Sequence, residues 1–511
     1  MSDRPPSARP ATNGLIADWL AHHARARPDH IALIDLGTGR RFSYRQFFDR
    51  VCALAGALAA HGVCAGDRVM VLARNSTDQY EIMFAAWRIG AAFMPVNWRL
   101  APPEIADIVA DAEPKIVICD EEFRALTPRG IVTLTRRPGD PASGYERALK
   151  DAPPITGFFA VDFDTMNTLL YTSGTTGRPK GVIGTWRMTI TALLQSSLSA
   201  NLTTDSVTLT AAPQFHTAGL NSYTTALFHI GGTVAVMATW TPGACLEHLS
   251  DPVLGVTHTL GVPTQFHLMA RLPGFDKLEF PTLKIAAVGG APPTVALLET
   301  WAAKGLALTP GYGMTEVFGV TQMRADVVRA KPGAIGWPAL YTEVRVADDS
   351  NRPCGVGHVG EIQIKSLGVT PGYWRQPELT AAAFVDGRFK TGDLGRFDDD
   401  GLLYLVDRKK DMFISGGENV YPVEIENVIS KYPGIAQVAV IGVPDPKWGE
   451  VGLAAVVATP GSTIDSQDVI DRCRGQIADY KIPKRVEVVD ALPLSAQGKV
   501  LKTELRQRYG A

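Results

Sequence analysis

The sequence predicts an α/β fold, with a large N-terminal domain of layered sheets, a β-barrel-like subdomain, and a small mobile α+β domain at the C-terminal end. Strand-like and helix-like segments alternate through most of the chain, and a different pattern follows residue 411. The length of 511 residues, 46% of them hydrophobic and 20% charged, is enough for several globular units of roughly 150 residues each. Such alternation is typical of helices packed on largely parallel sheets.

The first elements repeat as a helix followed by a strand. Ser43 and Gln46 have the spacing of a capping box, and apolar residues with helical periodicity follow it as far as Gly62. Residues 68–73 then have the composition of a buried strand. Later pairs are predicted at 81–89 with 91–96 and at 103–110 with 115–119, and a strand at 169–170 precedes a helix at 186–198.

The last part of the chain has a pattern of its own, after the charged run 407–411. Helices are predicted at 423–430 and 467–478, and strands at 437–442, 453–458 and 485–489. We therefore expect a flexible tail at 1–13, an N-terminal domain at 14–406, a hinge at 407–410 and a C-terminal lid domain at 411–511. An exposed charged turn inside one domain is the alternative that composition leaves open.

Composition excludes several classes of protein. Fifty Lys and Arg balance 52 Asp and Glu, so no overall field favours nucleic acid or an anionic membrane. Six cysteines without a CxxC pair favour reduced thiols over a disulfide framework or a thiolate metal site. Neither a signal peptide nor an apolar stretch of membrane-spanning length is recognisable. A cytoplasmic protein without a nucleic acid partner is the expectation.

The strongest local signal is the loop within residues 171–181. Its glycines leave backbone N–H groups available to an anion, its hydroxyl groups add donors, and Lys180 adds a positive charge. It is not a Walker loop, because Arg178 and Pro179 separate the last glycine from the lysine. The loop predicts a polyphosphate site formed by Thr172, Ser173, Gly174, Thr175, Thr176, Gly177 and Lys180.

A second glycine pattern, GxGxxG at 355–360, points to a different structure. It follows a polar loop and precedes the alternating segment 361–365. Because a dinucleotide fingerprint requires a strand before the glycines and a helix after them, we predict a turn that leads into a strand.

Six motifs occur in the order found in adenylate-forming enzymes: residues 171–181, 311–316, 390–393, 407–408, 415–419 and 493–499. From about Leu15 to Leu505 the chain resembles the superfamily of acyl-CoA synthetases, adenylation domains and luciferases, and most of all its AMP-forming carboxylic acid:CoA ligases. The resemblance implies two half-reactions with ATP, Mg²⁺ and coenzyme A. A carboxylate first attacks the α-phosphorus to give acyl-AMP and pyrophosphate, and the CoA thiol then displaces AMP. Both steps depend on positioning and charge stabilisation.

The resemblance also implies roles for individual residues. The loop from Thr172 to Lys180 would hold the β- and γ-phosphates, Thr315 would contact the α-phosphate, and Glu316 would bind Mg²⁺. Lys499 would bridge the attacking carboxylate and the α-phosphate. The remaining nucleotide contacts are Tyr312 stacked on adenine, Gly290, Ala291 and Pro292 along its edge, and Asp393 with nearby Arg408 at the ribose.

Domain alternation and CoA binding follow from the same resemblance. Lys410 occupies the position of the hinge. Arg99 and Lys484 would pair with the CoA nucleotide, and Gly417 and Trp448 would border the pantetheine channel. Ile482 departs from relatives that have a basic residue there. Homodimers are common among such enzymes, so the resemblance makes a homodimer possible, although the residues themselves do not determine the oligomeric state.

The acyl pocket is expected around residues 214–222 and 287–291, and after Glu316. His216 matches a catalytic histidine beside the reacting carboxylate. No Arg or Lys occurs in these stretches, which argues against dicarboxylates. Trp186 replaces the family's usual histidine, and we expect it to narrow a route beside the phosphate loop. The predicted pocket residues are Phe215, Ala218, Gly219, Tyr223, Gly289 and Gly313, of which the glycines and alanine would leave room for the acid.

An apolar monocarboxylate is the expected substrate, with an aryl or arylalkenoic acid slightly favoured over a medium-chain fatty acid. A stand-alone adenylation enzyme that loads a carrier protein is the remaining enzymatic alternative. A non-catalytic nucleotide-binding protein of this fold would lack Glu316, Asp393 or Lys499, and all three are present.

Overall fold

The computed structural model describes residues 18–172, 179–408, 411–415, 418–495 and 499–510. These residues form four β-sheets with helices packed on them, in the predicted α/β arrangement. Three sheets lie before residue 409, and the fourth is formed by the C-terminal part of the chain.

The first sheet has seven strands, six of which are parallel. The seventh strand, Arg41–Ser43, is antiparallel to Ile31–Asp35 at one edge. In spatial order the strands are Leu308–Pro310, Ile285–Val288, His258–Gly261, Val207–Thr210, Thr233–Val236, Ile31–Asp35 and Arg41–Ser43.

The second sheet has six strands and contains those predicted in the N-terminal region. Five are parallel, and the last two form an antiparallel pair in which Thr172 lies opposite Lys180. This pair therefore holds both ends of the predicted phosphate loop together. In order the strands are Val132–Arg136, Ile116–Asp120, Arg68–Leu72, Ala92–Pro95, Met166–Thr172 and Lys180–Thr185.

Helices between these sheets form the largest hydrophobic core with strand residues of both. Helix Tyr44–Ala60 begins with the predicted capping box: Ser43 Oγ accepts from the Gln46 N–H, and the Ser43 N–H donates to Gln46 Oε1. The other helices before residue 409 are Trp19–Ala26, Thr77–Arg88, Pro102–Ala112, Gly144–Asp151, Trp186–Ser199, Thr217–Asn221, Thr224–Ile230, Pro242–Ser250, Pro263–Ala270, Val295–Ala302, Ala325–Val328 and Pro377–Ala382, with short 3₁₀ helices at Glu121–Leu126 and Phe275–Lys277.

Trp186 belongs to this core, contrary to the expectation that it narrows a route beside the phosphate loop. It is only 1% exposed, and its ring centroid lies 4.8 Å from that of Trp87 and 6.0 Å from that of Trp19. The side chain that replaces a histidine here is therefore a packing residue between the two sheets.

The third sheet is antiparallel and corresponds to the predicted barrel-like subdomain. The pattern GxGxxG leads into strand Gly360–Ser366, which confirms the predicted turn into a strand. In order the strands are Thr321–Gln322, Ala334–Pro338, Leu403–Arg408, Arg388–Phe397, Gly360–Ser366 and Thr342–Ala347, and Phe384–Val385 pairs with Arg388–Phe397.

The C-terminal part forms a five-stranded sheet with two hydrophobic clusters of its own. The helix predicted at 467–478 ends at Cys473, because Arg474 is extended and Gly475 has a φ of +72°. The Val423 N–H donates to Asp407 Oδ2 over 3.2 Å, and this hydrogen bond connects the C-terminal part to strand Leu403–Arg408 of the third sheet. The strands are Glu418–Val420, Phe413–Ser415, Gly449–Ala458, Ile435–Asp445 and Arg485–Val488, and the helices are Pro422–Ile429, Ser466–Cys473 and Lys502–Tyr509, with a 3₁₀ turn at Asp479–Lys481.

Two features of the whole chain bear on the expectations from composition. All six cysteines are free thiols, and four of them are buried. Across the part of the chain that the structure describes, every helix is too short or too polar to span a bilayer.

Candidate active site

Thr315 and Glu316 lie at the tip of a tight turn. The backbone N–H groups of Met314 and Val317 each donate to the other residue's carbonyl over 3.1 Å, so the two residues between them form a two-residue hairpin loop. The Glu316 carbonyl also accepts from the Thr370 N–H over 2.8 Å. The turn presents Glu316 as a buried acid, 4% exposed, at a position that the backbone fixes from two sides.

Glu316 is paired with Lys180, the lysine of the predicted phosphate loop. The Lys180 ammonium lies 2.9 Å from Glu316 Oε1 and donates to the Tyr373 hydroxyl over 2.9 Å. The Oγ1 atom of Thr172, opposite Lys180 in the strand pair, is buried and has no hydrogen-bond partner among the described residues. A cation and an orphaned hydroxyl at the two ends of one loop suit a bound phosphate.

Tyr312 and Asp393 are joined by a short hydrogen bond. The Tyr312 hydroxyl donates to Asp393 Oδ2 over 2.6 Å, and the Asp393 N–H donates to Thr391 Oγ1 over 3.0 Å. In the third sheet the backbone of Asp393 lies opposite that of Arg408. The structure thus brings together Tyr312, predicted to stack on adenine, and Asp393, predicted to bind the ribose, from motifs far apart in sequence.

Lys499 reaches the large domain at Gly290. Gly290 has a φ of +81°, and a Cβ atom placed on it would lie 3.2 Å from Lys499 Cε and 3.9 Å from Nζ. The segment that carries Lys499 is held by its own backbone, since the Ser495 N–H donates to the Lys499 carbonyl over 2.7 Å. Ala291 and Pro292 follow Gly290 in the same loop and are exposed.

His216 follows a segment that is clamped by the loop after strand Arg68–Leu72. Asn75 Nδ2 donates to the Ala212 carbonyl over 2.9 Å, and the Ser76 N–H donates to Gln214 Oε1 over 2.7 Å. Burial chiefly, and then the positive charges of Lys499 and Arg99, lower the pKa of His216 to about 3. The imidazole is therefore neutral at physiological pH and can accept or donate one hydrogen bond.

A narrow cavity lies beside the helix Thr217–Asn221 that follows His216. Ala218 and Tyr223 line it, together with hydroxyl and apolar groups of the first sheet. Gly219 is buried but does not leave room for a substrate as expected. A Cβ atom on it would lie 2.3 Å from the Pro213 carbonyl oxygen, so this glycine is needed for close backbone packing.

Gly289 and Gly313 are also tightly placed against backbone. A Cβ atom on Gly289 would lie 3.3 Å from the Gly311 carbonyl oxygen, and one on Gly313 would lie 3.0 Å from the Gly319 nitrogen. Gly289 lets the loops after two neighbouring strands of the first sheet approach each other, and Gly313 lets the loop that leads from the first sheet to the third fold back on itself.

Of the residues predicted to bind CoA, only Arg99 has a described contact with a residue next to His216. The Arg99 guanidinium lies 5.8 Å from the ring centroid of Phe215, next to His216, and 4.6 Å from that of Trp98. Trp448 and Lys484 are exposed on the C-terminal unit. Ile482, which stands where relatives have a basic residue, is 3% exposed and packs in the core of that unit. Ser173, Gly174, Thr175, Thr176, Gly177, Lys410 and Gly417 lie outside the described residues.

The donor set around Glu316 suits magnesium. Within the described ranges no cluster of three His, Cys, Asp or Glu side chains could hold a metal ion by itself. Mg²⁺ commonly takes one or two protein carboxylates and completes its shell with phosphate oxygens and water. The buried Glu316 beside Lys180 provides one such carboxylate next to a candidate phosphate site.

These contacts join Lys180 to Glu316 and Tyr312 to Asp393, and they bring a lysine of the C-terminal part to Gly290. The family model described as AMP-binding enzyme matches residues 20–374, and the model described as AMP-binding enzyme C-terminal domain matches residues 424–499. The chain belongs to this family, the adenylate-forming superfamily, and is an AMP-forming acid:CoA ligase.

Similar proteins span nearly its whole length. A feruloyl-CoA synthase from an Amycolatopsis species is 39% identical over 500 residues, which cover 98% of this chain and 100% of that protein. The long-chain-fatty-acid–CoA ligase FadD13 of Mycobacterium tuberculosis is 35% identical over 96% of this chain and 98% of its own.

A solved structure gives information on conformation. ATP-bound MatB from Rhodopseudomonas palustris has a TM-score of 0.90 at 33% identity, with 98% of this chain and 99% of that chain covered. The apo form of MatB, at 32% identity and with the same coverage, has a TM-score of 0.80. The present arrangement is therefore closer to the ATP-bound form.

Proposed function

We propose that the protein activates an aromatic or arylalkenoic monocarboxylic acid with ATP and transfers the acyl group to CoA. The observation that carries this proposal is the approach of Lys499 to Gly290, beside the neutral His216. A lysine placed there supplies positive charge where a carboxylate and an α-phosphate would meet, and charge stabilisation in place is the main requirement of that step.

For acyl-AMP formation we assign the polyphosphate to the loop that begins at Thr172 and ends at Lys180, and the α-phosphate to Thr315. Glu316 would hold Mg²⁺, which when bound neutralises charge on the phosphate oxygens. The Tyr312–Asp393 hydrogen bond supports a nucleoside site in which the ring lies against adenine and the carboxylate accepts from the ribose. Lys499 would orient the attacking carboxylate and stabilise the charge that develops on the α-phosphate.

For thioester formation we propose a different arrangement of the C-terminal unit. The boundaries 14–406, 407–410 and 411–511, with rotation at Lys410, would let the unit withdraw Lys499 and open a path for the thiol. Arg99 supports the CoA assignment, because the residue is exposed and its guanidinium lies 5.8 Å from the ring centroid of Phe215, the neighbour of His216 in sequence. We assign Lys484, Gly417 and Trp448 to the same substrate.

The preference for an uncharged acyl group rests on the cavity beside Tyr223. The described residues that line it bear hydroxyl, methyl and aromatic groups and no charged side chain. A second carboxylate would be buried there without a cationic partner among the described lining residues, which is unfavourable for a charged group. The similarity to a feruloyl-CoA synthase supports an arylalkenoic acid, and the similarity to a fatty acid ligase makes a medium-chain fatty acid the second candidate.

The experiment is a panel of benzoates, cinnamates, phenylalkanoates and fatty acids with MgATP. Pyrophosphate release would be measured with and without CoA, and the thioester identified by mass spectrometry. A sharp optimum among the aryl acids with CoA-dependent turnover supports the proposal, whereas an optimum among the fatty acids contradicts the aryl assignment. Tyr223→Ala should shift the optimum to a longer or bulkier acid, because it enlarges the cavity that Tyr223 lines.

The same panel distinguishes transfer to a carrier protein. Release of pyrophosphate with no acyl-CoA from any acid would contradict CoA as the acceptor. The acyl-AMP would then be offered to a carrier protein bearing a phosphopantetheine thiol, with its apo form as the control.

A further inference from the structure

Tyr373 lies in the nucleotide site but in none of the motifs that identify it. It is 6% exposed and pairs with Val182 in an isolated β-bridge. The next residue, Trp374, donates its N–H to the Gly181 carbonyl over 2.8 Å. These two contacts hold the segment after strand Gly360–Ser366, which carries Tyr373, against the strand that begins with Lys180, and they fix the backbone of Tyr373 relative to that of Lys180.

The Tyr373 hydroxyl connects Lys180 with Glu316. It accepts from the Lys180 ammonium over 2.9 Å and donates to Glu316 Oε1 over 3.0 Å, and Lys180 Nζ also lies 4.3 Å from the centre of the tyrosine ring. A phenol keeps its proton at neutral pH, so the hydroxyl can donate to Glu316 while it accepts from Lys180.

The two carboxylate oxygens of Glu316 differ in their hydrogen-bond partners. Oε1 accepts from both Lys180 and Tyr373. Among the described residues no donor is recorded on Oε2. All three side chains line one cavity of about 240 Å³ that also borders Met314 and Thr391, so substrate groups entering that cavity meet the carboxylate directly.

We propose that Tyr373 is a positioning residue for magnesium and phosphate binding. Its hydroxyl fixes Oε1 and thereby presents Oε2 to the metal ion. When Lys180 turns from Glu316 to a phosphate oxygen, Tyr373 remains as the donor to Oε1, so the carboxylate keeps its orientation. Without the hydroxyl, Lys180 would be the one remaining donor to Oε1 among the described residues, and metal binding would have to compete with that ion pair. This inference rests on the proposed function of Lys180 and Glu316.

The test is the linkage between Mg²⁺ and nucleotide binding in Tyr373→Phe, which removes only the hydroxyl. The dissociation constant of α,β-methylene-ATP, which cannot be cleaved at the reacting bond, would be measured by calorimetry with and without Mg²⁺. In the wild type we expect Mg²⁺ to tighten binding. In Tyr373→Phe that tightening should shrink by about 10-fold, the size of one hydrogen bond to a charged group, while the Mg²⁺-free constant changes by less than about twofold.

A similar triad at the third sheet provides the matched control. Lys331 Nζ lies 3.0 Å from Asp398 Oδ2, and the Tyr404 hydroxyl donates to that oxygen over 3.3 Å. Tyr404→Phe should leave both dissociation constants unchanged. Glu316→Gln should abolish the Mg²⁺ linkage, and adding Tyr373→Phe to it should have no further effect on that linkage.

Three results would overturn the inference. Unchanged Mg²⁺ linkage in Tyr373→Phe would show that the hydroxyl does not position the carboxylate. Equal weakening with and without Mg²⁺, together with a lower Tm, would show a structural role only. Absence of Mg²⁺-linked binding in the wild type would refute the proposed function itself, and the inference with it.

Discussion

Gly290→Ala is expected to impair acyl-AMP formation selectively. The added methyl group would lie 3.2 Å from Lys499 Cε, closer than ordinary van der Waals contact, so the lysine or its segment must shift. Forcing an extra carbon into a packed contact costs about 1–3 kcal/mol, and the flexible lysine arm favours the lower part of that range. A cost of about 1–2 kcal/mol corresponds to roughly a 5- to 30-fold slower step.

Backbone strain is a separate cost that acts on stability. Alanine at a φ of +81° is disfavoured by about 1–2 kcal/mol whether or not Lys499 is nearby. Gly305→Ala is the matched control, because Gly305 has a φ of +78° and no atom of the described residues lies within 4 Å of the added Cβ. It should lower the free energy of unfolding to a similar extent and leave acyl-AMP formation unchanged.

The assay separates the two half-reactions. Single-turnover formation of acyl-AMP should slow in Gly290→Ala, while thioester formation from supplied acyl-AMP should keep its wild-type rate. A double-mutant cycle with Lys499→Ala tests the cause, because the Gly290→Ala effect should largely vanish when the lysine arm is absent. An undiminished effect in that background would refute the clash with Lys499 and indicate damage to the adenine edge.

Four further outcomes are expected. Lys499→Ala should slow acyl-AMP formation by about 10²- to 10³-fold and spare thioester formation, and equal loss of both in the same assays would contradict its role. Lys410→Pro should spare acyl-AMP formation and slow thioester formation, and an unaffected second step would argue against rotation there. The pKa of His216 is lowered to about 3 from 6.5, so the unfolded state takes up a proton first as the pH falls, and stability decreases between those values. His216→Gln should remove this loss, at most about 1.4 kcal/mol per pH unit, in denaturation curves against pH. Trp186→Ala should lower the free energy of unfolding by about 3–5 kcal/mol in denaturant titrations, because it empties a core position.

Local patterns in the sequence predicted most of the fold. The capping box at Ser43, the alternation up to residue 120 and the turn into strand Gly360–Ser366 all depend on neighbouring residues, and the structure confirms them. The helix predicted at 467–478 was too long because a break at Gly475 was overlooked, although a glycine is visible in the sequence as a stop signal.

What the sequence could not predict depends on distant packing. The contact between Tyr373 and Lys180 joins residues 193 positions apart, and no local motif marks the tyrosine. Trp186 looked like a residue of the phosphate site because it follows that loop, yet the direction of its helix turns it into the core between the sheets. Gly219 was predicted to leave room for the substrate, whereas the space that a side chain would occupy is filled by neighbouring backbone atoms. In all three cases the surroundings of the residue depend on contacts with distant segments, which the local sequence does not specify.

The distribution of hydrophobic cores determines which parts of the chain gain or lose structure together. The first two sheets share one core, so disrupting either should expose the side chains of both and they should unfold as a single cooperative unit. The C-terminal part has two clusters built entirely from residues of its own sheet, helices and loops. If the C-terminal part opens by itself, the backbone amide of Lys499 should exchange with solvent, while the amides of Lys180 and Glu316 stay protected. The candidate site therefore combines residues from two parts of the chain that have different free energies of local unfolding, one for the N-terminal sheets and one for the C-terminal part.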